Sequence, residues 1–65
     1  MEVNKMTLYK IMPGMYEVID NGKMKYRIYK NKYNGWTLAV FSERNKQFID
    51  SRYFATMKQA KNAIM

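Results

Sequence analysis

Half of the residues between positions 23 and 32 carry a positive charge, and none carries a negative charge. The positive residues of this segment are Lys23, Lys25, Arg27, Lys30 and Lys32, with Tyr29 between them and Tyr33 directly after them. Cations interleaved with aromatic residues are typical of nucleic-acid interfaces, because cations contact phosphates and rings stack on bases. The alternative interpretation is a solvated lysine-rich face with aromatic residues packed across neighbouring strands.

Residues that carry out catalysis are scarce in this chain. It contains no cysteine and no histidine, so the commonest general base and the strongest side-chain nucleophile are both missing. Its five carboxylates are scattered along the sequence and form no paired motif. We therefore expect no enzyme, and we expect no metal or other cofactor, because the usual ligands of zinc, haem and iron–sulfur clusters are absent.

The whole chain shares the charge bias of this segment. It has 12 lysines and arginines against five acidic residues, a formal net charge of +7 over 65 residues. Such a balance favours nucleic acid or another acidic surface as partner, although excess lysine also keeps a small tyrosine-rich domain in solution. No apolar run approaches the length that spans a bilayer, and residues 1–5 lack the apolar core of a secretion signal. We therefore expect a cytoplasmic protein without membrane contact, whose residues 1–5 are flexible.

The pattern of the chain predicts one α+β domain over residues 1–65. Strands are expected over about 15–19, 23–30, 36–42 and 48–53, with 6–12 as a weaker candidate, and a helix over about 57–64. Asn21-Gly22 is a strong hairpin signal, because both residues tolerate the left-handed conformation of a type I′ turn. Thr56 and Gln59 have capping-box spacing. The predicted architecture is a three- to four-stranded antiparallel meander with one C-terminal helix packed on one face.

Alternation along the central strand would place the cationic segment relative to that helix. Met24, Tyr26 and Ile28 are expected on one face, and Lys25, Arg27 and Tyr29 on the other. A single helix covers one face only, so the opposite face should be open and basic. Phosphate contacts from this face would supply most of the affinity for nucleic acid, with double-stranded DNA as the preferred ligand. If the target is single-stranded, Tyr29 and Phe41 would instead stack on its exposed bases. The predicted contact residues are Lys23, Lys25, Arg27, Tyr29, Lys30, Lys32, Thr37 and Phe41.

Two residues near this face are assigned other roles. Glu17, across the first hairpin, is expected to form a cross-strand ion pair with Arg27 or Lys25. Tyr33 lies beside Asn34-Gly35 and is expected to pack on its turn.

The later part of the chain resembles a known family. Tyr26-x-Ile28, Trp36-x-Leu38-x-Val40 and Arg52-Tyr53-Phe54-x-Thr56-x-x-x-Ala60-Lys61 are similar to the arm-site-binding N-terminal domain of phage and transposon integrases. The resemblance covers residues 26–64. It implies a sheet backed by a C-terminal helix, with the open sheet face in the DNA major groove, and it places Arg27, Tyr29, Thr37 and Ala39 there. An additional N-terminal strand and the lack of a following catalytic domain set this chain apart, so a small DNA-binding accessory protein is expected.

Two other interpretations remain open. The size, the lysine and asparagine content and the methionines resemble those of small phage proteins that inhibit host machinery, anti-CRISPR proteins among them. Tyr29, Phe41 and Tyr53 would then be anchors in an interface with a host protein. The third interpretation is a homodimer that pairs its edge strands.

Overall fold

The chain forms a five-stranded antiparallel sheet with one short helix, as seen in a computed structural model that describes residues 6–65. The elements are β1 (Met6–Met12), β2 (Met15–Asp20), β3 (Lys23–Lys30), β4 (Trp36–Ser42), β5 (Gln47–Phe54) and α1 (Met57–Asn62). The strands lie in the sheet in chain order, so each pairs with its neighbour in sequence.

The α+β class is confirmed, but the expectation of three to four strands was wrong. The strand that raises the number to five is β1. Its register with β2 shifts between Lys10 and Met12, and this irregularity breaks the alternation that identifies a strand from sequence. Residues 1–5, which were expected to be flexible, lie outside the described residues.

The short C-terminal helix begins at Met57, as predicted, and ends before its predicted last residue. The Thr56 side chain accepts a hydrogen bond from the Gln59 backbone N–H at 3.2 Å, as expected of the cap. The Gln59 side chain, however, accepts from the Ala55 N–H at 3.1 Å rather than from that of Thr56. The helix ends at Asn62, two residues before the predicted limit, with Ala63 as its C-cap. No helix within residues 6–65 is long and apolar enough to cross a membrane.

The helix packs on the sheet side that carries Ile28 and Leu38. These two residues and Ala60 of the helix are buried together and form the core. The partly buried residues packed around this core are Leu8, Tyr16, Tyr26, Trp36, Phe54, Met57 and Ile64. The predicted apolar stripe of the helix is therefore the stripe that contacts the sheet, and its small Ala60 allows the close approach.

Two bulges change which residues share a face. In β3, Tyr26 pairs with Val18 and Met24 pairs with Ile19, so Lys25 is an additional residue without a partner. In β5, Arg52 pairs with Leu38 and Asp50 pairs with Ala39, so Ser51 is the additional residue. Each bulge shifts the alternation of the strand beyond it by one residue.

These shifts correct one expectation and determine the make-up of the face opposite the helix. Met24 lies on the face of Arg27 and not, as strict alternation predicted, on the face of Ile28. In β5 the shift places Phe48 and Asp50 on that same opposite face, together with Tyr53.

Candidate nucleic-acid interface

Arg27, on the face opposite the helix, is paired with a carboxylate and packed on an aromatic ring within the protein. Its Nη2 and Nε donate to Glu17 Oε2 at 2.6 and 3.2 Å. Its guanidinium carbon lies 4.1 Å from the centroid of the Phe48 ring. The predicted cross-strand ion pair is thus present and involves Arg27. A charge that is already balanced by a carboxylate contributes little to the attraction of a phosphate.

Tyr29, the aromatic residue of the segment, is also bound to a carboxylate. Its hydroxyl lies 2.8 and 2.9 Å from the two carboxylate oxygens of Asp50, to which it donates. Burial raises the pKa of Tyr29, and the hydrogen bond to Asp50 and the negative charge of Asp50 raise it further. A side-chain hydrogen bond with Thr37 acts in the opposite direction. The phenol is therefore held neutral and is directed toward Asp50.

The rest of this face is not open in the way that the sequence predicted. Thr37 is only 1 % exposed and Ala39 is fully buried, although no helix or strand within residues 6–65 covers them. Their neighbours in the sheet register, among them Arg27 and Tyr29, carry the large side chains that shield them. Phe41 packs edge-on against Phe48 with ring centroids 5.1 Å apart. Thr37 is therefore largely shielded from a ligand on this face.

The lysines of the segment do not share one surface. Lys30 pairs with Trp36 and thus belongs to the helix side of the sheet, where its Nζ lies 5.9 Å from the Trp36 ring centroid. Lys25 is the bulged residue, Lys23 begins β3 after the first hairpin turn, and Lys32 lies in the turn after β3. All four lysines are exposed, but they are distributed over both ends of the strand and not along one face.

Few of the positive charges in the described part of the chain are paired with a carboxylate. Within residues 6–65, the pair between Arg27 and Glu17 is the sole salt bridge. The other lysines and arginines of this range therefore keep their charge available to a partner.

Two open concavities lie at the end of the sheet where β3 turns into β4. These adjoining pockets of about 620 and 410 Å³ share Asn31, Tyr33 and Tyr53 in their walls. We refer to them together as the Tyr33–Tyr53 cleft. The walls are completed by Tyr29, Lys30, Lys32, Asn34, Gly35, Thr37, Asp50, Phe54 and Ala55.

Both tyrosines that name the cleft are exposed to solvent. Tyr33 is 77 % exposed and Tyr53 is 71 % exposed, which makes them the two most exposed large hydrophobic residues in the described chain. Tyr33 was predicted to pack on its own turn, and this prediction was wrong. The amino group of Lys32 lies 5.3 Å from the centroid of the Tyr33 ring.

The turn that carries Tyr33 is held in place by Asn31. The Asn31 side-chain oxygen accepts from the backbone N–H groups of Tyr33 at 2.9 Å and Gly35 at 3.1 Å. Its amide nitrogen lies 3.1 Å from the hydroxyl of the buried Thr37, to which it donates. The turn is therefore anchored to the interior of the sheet, and the exposed ring stands on a fixed support.

The turn also lies directly against β5. A Cβ atom added to Gly35 would come within 2.7 Å of the carbonyl oxygen of Phe54, so only glycine allows this approach. The residue before Phe54 is Tyr53, and the close approach therefore brings the two exposed tyrosines to the same end of the molecule.

Sequence reasoning missed Asn31 and the joint position of the two tyrosines. The available signal was Asn31 itself, since an asparagine two residues before a turn residue often accepts from its backbone N–H. The proximity of Tyr53 depends on the pairing of Thr37 with Tyr53, which local sequence does not reveal.

No family model matches this chain, and no similar protein was found either among curated proteins or among solved structures.

Proposed function

We propose that this chain is a small nucleic-acid-binding protein, with DNA as its preferred ligand and the cytoplasm as its location. The observation that carries the proposal is the excess of positive charge, of which little is paired within the described residues. The net charge is +7, and a single salt bridge forms within residues 6–65. A surface of this kind attracts a polyanion over several ångströms and gains affinity by releasing its counterions.

Phosphate contacts in this proposal come from the lysines at the two ends of β3. Lys23, Lys25, Lys30 and Lys32 are exposed, and none of them forms a salt bridge with another residue in the range 6–65. The groups on the face opposite the helix contribute less than the sequence suggested. Arg27 and Tyr29 would have to leave Glu17 and Asp50 before they contacted a groove. Binding of double-stranded DNA is therefore expected to rest on its phosphates, with little discrimination between base sequences.

A salt titration tests this proposal quantitatively. If about four lysines neutralise phosphates of duplex DNA, the slope of log affinity against log salt should be about −3.6. This slope corresponds to a loss of roughly 150-fold in affinity between 50 and 200 mM salt. Fluorescence anisotropy of a labelled duplex measures it directly. Absence of binding at the lower salt concentration would refute the proposal.

Charge-reversal variants separate a localised interface from a diffuse charge effect. The double variant Lys23→Glu, Lys25→Glu changes the net charge by the same amount as the control Lys58→Glu, Lys61→Glu on the exposed side of the helix. The first double variant should abolish duplex binding, and the control should weaken it by a smaller factor because its lysines lie outside the segment. Equal losses would show that net charge alone drives the binding.

A protein partner is the second candidate, and exposed apolar residues on β1 favour it. Tyr9, Ile11 and Met12 are each about half exposed on a strand that ends the sheet. An open edge with apolar side chains can pair with a second copy of the chain or with a host protein. Sedimentation at micromolar concentration should then show a dimer, and nuclease-treated lysate should still yield a retained protein. A monomer that retains nothing after nuclease treatment would leave nucleic-acid binding as the remaining candidate.

A further inference from the structure

We propose that the Tyr33–Tyr53 cleft is a binding site for unpaired bases, so that the ligand of this protein includes a single-stranded segment. The inference rests on the proposed nucleic-acid binding and names the part of the ligand that the cleft takes. It follows from four properties of the cleft: its exposed rings, its rigid support, its cation and the occupied hydrogen-bonding groups in its wall.

The exposed rings supply the stacking surface. Large aromatic side chains are seldom left this exposed in so small a domain, because burying them contributes much of its stability. Tyr33 and Tyr53 are 77 % and 71 % exposed in the same concavity. Lys32 lies over one side of the Tyr33 ring, which leaves the other side available to a base. Paired bases in a duplex are already stacked, so their faces are accessible only where the strands are separated.

The support of the rings keeps the cost of binding low. Asn31 holds the Tyr33 turn through three hydrogen bonds, one of them to the buried Thr37. Gly35 packs the same turn against the backbone of β5. A ring on an ordered turn loses less conformational entropy on stacking than a ring on a mobile loop.

The charges around the cleft determine where the phosphates lie. Lys32 lines the smaller pocket and provides a cation beside the rings, with its amino group 5.3 Å from the centroid of the Tyr33 ring. Asp50 lines the same pocket and repels phosphate, although Tyr29 donates to its carboxylate. The backbone of the bound strand is therefore expected on the lysine side, with the bases directed between the tyrosines.

The side chain of Asn31 in the cleft wall is already engaged within the protein and is not free to read a base edge. The side-chain oxygen of Asn31 accepts two backbone hydrogen bonds, and its amide nitrogen donates to Thr37. Stacking accepts every base, since each base has an aromatic face. The site should therefore bind unpaired bases with little preference among them.

The test compares ligands with equal phosphate number and different bases. Anisotropy would be measured with oligo(dT) of about ten nucleotides, an abasic strand of the same length and a duplex of the same length. Wild-type protein should bind oligo(dT) at least about fivefold more tightly than the abasic strand. Tyr33→Leu and Tyr53→Leu should each reduce this preference, because leucine keeps apolar bulk and removes the stacking ring.

Tyr9→Leu is the matched control. Tyr9 is a half-exposed tyrosine on β1, at the opposite edge of the sheet from β5, and its replacement should leave the preference for bases unchanged. Thermal melts of all three variants verify that they are folded.

The outcomes separate the two proposals. Equal binding of oligo(dT) and the abasic strand, or a preference that the Tyr33 and Tyr53 variants retain, overturns the base site while nucleic-acid binding stands. The base site is also overturned, while nucleic-acid binding stands, if the duplex binds more tightly than oligo(dT) and the Tyr33 and Tyr53 variants do not change the affinities. If none of the three ligands binds, the proposed function fails, and the base site fails with it.

Discussion

The two faces of the sheet are organised by different kinds of information. On the helix side, Ile28, Leu38 and Ala60 form a core that follows directly from alternation in the strands and helical spacing in α1. On the opposite side, Arg27 and Tyr29 are bound by carboxylates from two different strands. Periodicity indicates the core residues on the helix side, whereas strand register determines which polar groups meet on the opposite side.

The largest effect is expected on the helix side. Leu38→Ala removes a buried side chain from the centre of the core, and such truncations cost about 2–5 kcal/mol of unfolding free energy. Val40→Ala on the same strand and the same face is the control, because Val40 is already 39 % exposed and should cost less than about 1 kcal/mol. Urea denaturation measures both. Similar losses for the two variants would show that the core is not centred on Leu38.

An intermediate effect is expected at the ion pair of the opposite face. Glu17→Ala leaves Arg27 without its carboxylate, and a pair that is partly open to water contributes about 0.5–1.5 kcal/mol. High salt should shrink the difference between wild type and variant, since screening weakens the pair. The same variant frees a positive charge on this face, so it should also tighten DNA binding. Weaker DNA binding by a folded Glu17→Ala protein would contradict the charge assignment of this face.

The smallest effect is expected at Tyr29, and it depends on pH. Tyr29→Phe removes the hydrogen bond to Asp50 and should cost about 0.5–1 kcal/mol at neutral pH. Because the folded state raises the pKa of Tyr29, its stabilisation is complete below the unfolded pKa of about 10 and is lost as pH rises through the folded value. Between neutral and alkaline pH, the melting temperature should therefore fall more steeply with pH for wild type than for Tyr29→Phe. Parallel curves would show that Tyr29 titrates alike in both states.

The fold was predictable to the extent that each strand keeps its alternation. The bounds of β3 and β4 were predicted correctly, and Ile28 and Leu38 lie on the helix side as predicted. β1 and β5 contain irregularities, and there the prediction failed in strand number for β1 and in pattern for β5. A bulge has no simple sequence signal, because it arises from the pairing of two strands rather than from either strand alone.

The candidate site was less predictable for the same reason. Strict alternation places Asp50 and Tyr53 on opposite faces, since their numbers differ by an odd interval. The extra residue Ser51 brings both to the face of Tyr29. The hydroxyl of Tyr29, which was predicted to contact DNA, therefore donates a hydrogen bond to Asp50 instead. The pair of Arg27 with Glu17 was predictable, because it lies within a single hairpin with a well-defined turn.

The exposure of the Tyr33 side chain could not be predicted from the sequence, because it depends on how its turn is held. An aromatic residue beside a turn gains stability by folding back on the sheet, but here Asn31 and Gly35 fix the turn in a different orientation. The lysines that flank it were predicted as contact residues, and their role stays a prediction.

The arrangement of the strands in chain order has a consequence for how the molecule folds. Every pairing in the sheet joins segments that adjoin along the polypeptide, so little loop entropy is lost when each hairpin closes. Domains dominated by such local pairings fold faster than sheets of equal size with distant partners. A newly made chain can therefore assemble this sheet one hairpin at a time, and the helix, which contacts β3, β4 and β5, completes it last.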